Sequence, residues 1–151
     1  MTDGLAEELL LASGRPIPVV PYTGDQSQIG RRVMIAWRAT REATRAVHDA
    51  MPVLEQAEEE IVYSVNPDDR DHLAGAEICT HLSRHGVNAT PRHIVAPYMG
   101  VADCILSAVA DNGIDMLVMG GYGHSRLRDL AFGGSTREIM HAMTCPVMMS
   151  H

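Results

Sequence analysis

Short apolar runs separated by amphipathic segments of helix length dominate the chain from residue 32 onward. A short continuous apolar run favours a strand that is buried on both faces of a sheet. Such runs predict strands at 32–37, 61–65, 92–95, 116–119 and 147–149. The strand at 92–95 is the weakest of them, because its apolar residues alternate with polar ones.

The segments between these runs predict helices. Apolar residues recur at helical spacing from Ala43 to Leu54, with Thr40 as the N-cap and Pro52 near the end. Further helices are predicted at 69–85, 101–109 and 135–143. Strands that alternate with helices in this way predict a parallel sheet with helices on both faces, an α/β fold. Ligands of such sheets bind beyond the carboxyl ends of the strands.

The first thirty residues repeat a pattern found at the C terminus. A helical segment, a break and a proline-led strand occur at 5–21 and again at 137–149. We therefore predict an extra N-terminal helix followed by a strand. Pro16, Pro18 and Pro21 leave backbone hydrogen bonds at alternate positions only, so this strand is predicted to lie at an edge of the sheet. The alternative is an ordinary N-terminal extension, because short pattern matches also arise by chance.

Composition narrows the function. With 151 residues, 46% of them hydrophobic, the chain can bury one core. It has neither an apolar stretch of membrane-spanning length nor a signal peptide, so we expect a cytoplasmic protein without a membrane partner. A net charge of −7 argues against a nucleic-acid partner. All twelve basic residues are arginine, which excludes a Walker-type P-loop and Schiff-base catalysis, since both need lysine.

Other reactive side chains have simple structural interpretations. Cys79, Cys104 and Cys145 lack metal-ligand spacing and are predicted to be small buried hydrophobic residues. The pair His81 and His85 is predicted to lie on a polar helix face, so no metal site is expected. The acidic cluster at 55–60 is predicted to be a solvated turn.

The most informative stretch runs from residue 114 to 136. An apolar strand ends at Gly120, followed by Gly123, and a polar loop then leads to Gly133-Gly134-Ser135-Thr136 at the start of a helix. Glycine lets a backbone approach a ligand closely, and Ser135 or Thr136 can cap the helix. A strand, a glycine loop and a helix N-terminus together favour a site for anions, above all phosphates.

This stretch resembles the universal stress protein family, whose nucleotide-binding members carry Gly-x-x-Gly, nine residues, and then Gly followed by Ser or Thr. Gly120, Gly123 and Gly133 match the three glycines, while Gly134 stands in the place of the Ser or Thr. The resemblance covers about residues 30–151. It implies a Rossmann-like, adenine-nucleotide alpha hydrolase-like sheet of five parallel strands in the order 3-2-1-4-5, with the pocket between the first and fourth strands.

The resemblance also implies the site residues. The candidates on the phosphate side are Gly120, Gly123, His124, Arg126, Gly133, Gly134, Ser135 and Thr136, and those on the nucleoside side are Ala36, Trp37, Arg38 and Val65. Nucleotide-binding members end the first strand in an aspartate that contacts the nucleoside, where this chain has Arg38. Arginine only donates hydrogen bonds, so it cannot accept them from ribose hydroxyls.

The resulting expectation is a regulatory or binding module of the stress response with a degenerate nucleotide-type pocket and no catalytic residue. The alternative is a member that binds ATP with magnesium and hydrolyses it slowly or not at all. A hydrolase built on His124 and Ser125 is excluded by the absence of a Gly-x-Ser-x-Gly elbow.

The N-terminal pattern resembles the end of a preceding repeat, as in tandem members of the family. Residues 1–22 would then belong to that repeat, 23–30 to a linker and 31–151 to the domain. A homodimer is expected through the last strand and the N-terminal segment, because an exposed edge strand invites pairing.

Overall fold

The computed structural model describes residues 2–68, 74–121 and 134–151. Helices and strands alternate along most of these segments, as the sequence predicts. The elements are α1 Thr2–Ser13, β1 Ile17–Val19, β2 Arg32–Ala36, α2 Arg41–Leu54, β3 Glu59–Val65, α3 Ala74–Ser83, β4 Thr90–Ile94, α4 Val101–Asp111, β5 Met116–Gly120, α5 Ser135–Ala142 and β6 Val147–Ser150.

One predominantly parallel sheet has the strand order β1-β6-β5-β2-β3-β4. The five strands from β2 onward are parallel to one another, and counted from β2 they follow the order 3-2-1-4-5. The sheet as a whole differs from the five-stranded, all-parallel sheet expected, because β1 adds to it. The predicted edge strand is confirmed: β1 pairs antiparallel with β6, with Ile17 opposite Met149.

Helices cover both faces of the sheet because the strand side chains are apolar on both sides. Val33 and Ile35 belong to a buried cluster that includes residues of α2 and α3. Met34, between them in sequence, belongs to the second cluster, with residues of α1, α4 and α5. The period of two along β2 therefore divides the core into two layers.

The N-terminal helix is part of this core. Leu10 is 1% exposed and packs in the cluster on the α4 and α5 side. Its Cδ2 atom lies only 2.5 Å from the position that a Cβ would take at Gly121, just after β5. Glu7 of α1 forms an ion pair with Arg137 of α5 at 3.6 Å. The outer face of α1 still exposes Leu5 and Leu9.

The carboxyl end of β5 lies against the first turn of α2. A Cβ at Gly120 would stand 2.6 Å from the Ala43 nitrogen and 2.7 Å from the Glu42 carbonyl carbon. Only glycine leaves room for this approach, so Gly120 serves helix packing as well as the cavity described below. As predicted, Thr40 caps α2, its Oγ1 accepting a hydrogen bond from Ala43 N at 3.2 Å.

Three local expectations need correction. Gly134, with φ 54°, is the N-cap of α5, and no side chain in the described part of the chain caps this helix. Ser135 and Thr136 are already inside it. The helix predicted at 69–85 is observed as α3 from Ala74 to Ser83, and residues 69–73 lie outside the described part. Glu60 is 8% exposed, because β3 begins at Glu59 and turns Glu60 to the same face as the buried Val62.

Across the described residues, no helix combines the length and apolar composition that crossing a membrane requires.

Candidate ligand-binding site

A cavity of about 350 Å³ opens at the carboxyl ends of β2, β3 and β5. The first turns of α2, α4 and α5 complete its wall. The strand order reverses between β2 and β5, since the chain continues from β2 to β3 on one side and reaches β5 on the other. The cavity therefore lies where an open parallel sheet forms its natural crevice.

The structure brings most of the described candidate residues together in this wall. Those that line the cavity are Ala36, Trp37, Arg38, Val65, Gly120, Ser135 and Thr136. Gly134 precedes Ser135 as the N-cap of α5 and does not line the cavity. The remaining candidates, Gly123, His124, Arg126 and Gly133, lie outside the described residues.

The side formed by the end of β2 has two large side chains. The Trp37 backbone nitrogen donates to the Tyr63 carbonyl oxygen at 2.8 Å, which extends the pairing of β2 with β3. The indole packs against the core layer of α2 and α3. Its buried Nε1 has no hydrogen-bond partner within the described part of the chain. Arg38 is exposed and lines the cavity, so its guanidinium is available to an anionic ligand.

The opposite side is formed by the start of α5. Ser135 is half-buried and Thr136 is 5% exposed. No side chain of the described residues caps α5, and the N-terminus of a helix is a favourable place for an anion.

Sequence reasoning missed the part of the wall that follows β3, where Ser64, Asn66 and Asp68 line the cavity. Asn66 has φ 47°. Its Oδ1 accepts from Ala96 N at 2.6 Å and its Nδ2 donates to Ala96 O at 3.3 Å. These bonds join the loops that follow β3 and β4. The rule that polar residues after a parallel strand face the crevice would have identified them.

Sequence reasoning also missed Glu42 in the wall of the cavity. It is 6% exposed, lines the cavity and pairs with Arg41 at 3.2 Å. Tyr63, also in the wall, is 8% exposed. Burial, with smaller effects from Cys104 and Asp111, raises the pKa of the Tyr63 phenol above its usual value.

Away from the cavity, three histidines meet between α2 and α3. The ring centroids of His48 and His81 are 5.3 Å apart, and those of His81 and His85 are 5.0 Å apart. The pKa of His81 is lowered, mainly by burial and to a smaller extent by the neighbouring His85, His48 and Arg84. Within the described segments, no three histidine, cysteine or acidic side chains are grouped as a metal site requires.

Comparison with known proteins identifies the family. The pattern that defines the universal stress protein family matches residues 48–151, which is more than half of the chain. The chain belongs to the universal stress protein family. It is also 39% identical over 46 residues to Universal stress protein Slr1230 from Synechocystis sp.. That alignment covers 30% of this chain and 16% of the relative.

Solved universal stress proteins share the fold. One from Archaeoglobus fulgidus DSM 4304 superimposes with a TM-score of 0.80 at 16% identity, over 97% of this chain and 53% of that one. A second, described as in complex with cAMP, gives a TM-score of 0.67 at 16% identity, over 80% of this chain and 96% of that one. This chain therefore spans about half of the longer Archaeoglobus structure.

Proposed function

We propose that this universal stress protein domain is a cytoplasmic regulatory module that binds a nucleotide-type ligand in the cavity at the ends of β2, β3 and β5. The observation that carries the proposal is the cavity wall itself. It joins Gly120 and the first turn of α5 to the apolar and aromatic surface of Ala36, Trp37 and Val65. An anion suits the first part of this wall, and a flat ring suits the second.

The volume of the cavity and a solved structure of the same fold support the proposal. A volume of about 350 Å³ falls within the range of ligand pockets, which is roughly 300–1,000 Å³. A universal stress protein of the same fold is described in complex with cAMP. We propose binding without catalysis as the role of the site. Binding of ATP with magnesium, with slow hydrolysis, is the alternative that the same experiments test.

The direct test is titration calorimetry with adenosine, cAMP and ATP with magnesium, supported by thermal unfolding. A ligand at a hundred times its dissociation constant should stabilise the folded state by about 2.7 kcal/mol. Release of inorganic phosphate from ATP at a rate above the protein-free control would favour the alternative. Failure of all three compounds to bind at millimolar concentration would refute the proposed function.

A matched pair of variants locates the binding. Val65 lines the cavity and is half-buried, so Val65→Phe extends a ring into the ligand space. Val95 is 71% exposed and does not line the cavity, so Val95→Phe makes the same chemical change elsewhere. We expect the first variant to weaken binding at least about tenfold and the second to leave it unchanged, because only the first competes with the ligand for volume.

We also propose that α1 and β1 are the last helix and strand of a preceding domain of a tandem protein, with 23–30 as linker and 31–151 as the second domain. The antiparallel pairing of β1 with β6 supports this proposal, as does the match of nearly the whole chain to about half of a longer structure. The residues 1–151 alone would then form a homodimer through the N-terminal segment, whose Leu5 and Leu9 are 59% and 45% exposed.

Sedimentation velocity tests this assembly. Leu5→Glu with Leu9→Glu should convert a dimer into a monomer, whereas Val95→Glu, an apolar-to-acidic change at a more exposed residue, should not. A wild-type chain that sediments as a monomer at all concentrations would refute the homodimer.

A further inference from the structure

Glu42 is an acidic side chain buried in the wall of the cavity. It is 6% exposed, although carboxylates are almost never buried without a partner. The ion pair with Arg41 spans 3.2 Å between Nη2 and Oε1, and the Arg41 side chain is 72% exposed. Water therefore screens this pair. Among the described residues, Arg41 donates the one side-chain hydrogen bond that the carboxylate accepts, which leaves acceptor positions for a ligand.

The fold explains how the carboxylate reaches this place. Gly120 has no side chain, so the backbone of Glu42 and Ala43 closely approaches the end of β5. Glu42 also lies in the first turn of α2, where the helix dipole stabilises a negative charge. The first turn of α2 thus already carries a carboxylate of the protein, whereas no side chain of the described residues caps α5.

The charges around the cavity disfavour a polyphosphate ligand. Its described lining contains the carboxylates of Glu42 and Asp68 and the guanidinium of Arg38. Of these three, only Glu42 is buried, so its charge is the least screened by water. A polyphosphate placed beside it would meet strong repulsion, while a hydroxyl or amino group would donate a hydrogen bond to it.

From this geometry we infer that Glu42 determines the specificity of the cavity. It selects a ligand that presents hydrogen-bond donors to α2 and carries at most one negative charge, on the α5 side of the cavity. The ligand class is therefore a nucleoside or a singly charged nucleoside phosphate rather than a nucleoside triphosphate. This inference rests on the proposed function and adds the charge and the orientation of the ligand.

The experiment compares dissociation constants measured by titration calorimetry for adenosine, 2′,3′-dideoxyadenosine and ATP. In the wild-type protein, adenosine should bind at least about tenfold more tightly than ATP, because each negative charge near a buried carboxylate weakens binding by roughly that factor or more. Adenosine should also bind about tenfold more tightly than its dideoxy analogue, since the analogue lacks the 2′- and 3′-hydroxyl donors.

The test variant is Glu42→Gln, which keeps the shape of the side chain and removes its charge. It should reduce both preferences toward unity, an effect on ligand ratios that a purely structural role would not produce. The control is Glu55→Gln, which makes the same charge change on the exposed far end of α2. Both ratios should stay at the wild-type value in the control.

A second variant keeps the inference testable if Glu42→Gln does not fold. Arg41→Gln removes the partner of Glu42 from an exposed position. It should keep or increase the preference for adenosine over ATP, because the buried carboxylate remains and only a screened cation is lost. A fall of this preference toward unity would overturn the inference.

The outcomes separate the inference from the proposed function. Binding of adenosine and ATP with equal affinity, or ratios unchanged in Glu42→Gln, would overturn the inference and leave the proposed function standing. Failure of adenosine, cAMP and ATP alike to bind would overturn both.

Discussion

The contact between Leu10 and Gly121 makes a quantitative prediction about the N-terminal helix. Leu10 is 1% exposed, and its Cδ2 atom occupies the space that a side chain at Gly121 would need. Leu10→Ala leaves a cavity in the core and should lower the free energy of unfolding by about 2–5 kcal/mol. Leu9→Ala is the matched control: Leu9 is 45% exposed, so its truncation should cost roughly 1 kcal/mol or less.

The same contact predicts a coupling between two substitutions. Gly121→Ala places a Cβ 2.5 Å from Leu10 Cδ2, and this overpacking should cost about 1–3 kcal/mol in the wild-type background. With Leu10→Ala the obstacle is gone, and the new methyl group fills part of the space that Leu10 leaves. We expect the double variant to be more stable than the sum of the single effects predicts, by at least about 1 kcal/mol.

Urea unfolding at 25 °C, followed by circular dichroism, measures all four proteins of this cycle. The unfolding slope must stay constant across them for the comparison to hold. The reasoning would be refuted by a Leu10→Ala cost no larger than that of Leu9→Ala. Additive effects of Leu10→Ala and Gly121→Ala would refute the packing contact itself, and α1 would then be a helix that the core does not need.

Three further predictions concern single sites. Gly120→Ala should lower the free energy of unfolding, measured with urea, by about 1–3 kcal/mol, because the new Cβ meets the α2 backbone. Gly4→Ala is the control: Gly4 lies in open space on α1, so this change should raise the free energy of unfolding by about 0.5–1 kcal/mol. Equal effects of the two changes would contradict the packing argument. Burial, with a smaller effect from Glu59, raises the pKa of Glu60. The folded state therefore binds the proton of Glu60 more tightly than the unfolded state does. The protonated carboxyl stabilises the fold at low pH, and this contribution is lost as the pH rises through the folded-state pKa. Glu60→Gln should therefore raise the urea midpoint at pH 7 but not below about pH 4, and an increase that persists at low pH would contradict the assignment. Burial, followed by Asp115, raises the pKa of Cys145 to about 11, so iodoacetamide should not label Cys145 in the folded protein at pH 8; labelling as fast as in urea would contradict this.

The sequence predicts the fold well where one local pattern decides it. The apolar run of β2 and the helical spacing after Thr40 are both found as predicted, because burial on both sides of a sheet requires these patterns. The edge position of β1 follows from its prolines. The cap of α5 was mispredicted because Gly134 takes a positive φ, and the sequence contains suitable hydroxyls one and two residues later.

The site is less predictable, because its wall depends on how elements meet. Trp37 and Arg38 follow a strand and could be placed at its carboxyl end. Glu42 could not, since a glutamate in an amphipathic helix is ordinarily assigned to solvent. Its burial depends on the missing side chain of Gly120, which is 78 residues later in sequence and adjacent in space.

Arg38 and Glu42 together suggest how the site departs from nucleotide-binding members of the family. The family resemblance predicts a hydrogen-bond acceptor, an aspartate, at the end of β2. This chain has Arg38 there, which only donates hydrogen bonds and is exposed. Four residues later, Glu42 brings an acceptor to the wall of the same cavity and is buried there. Under the proposed function, the acidic contact to the ligand moves from the end of β2 to the first turn of α2. Since buried charges discriminate more strongly than exposed ones, this shift would change which nucleoside compounds bind while leaving the cavity itself in place.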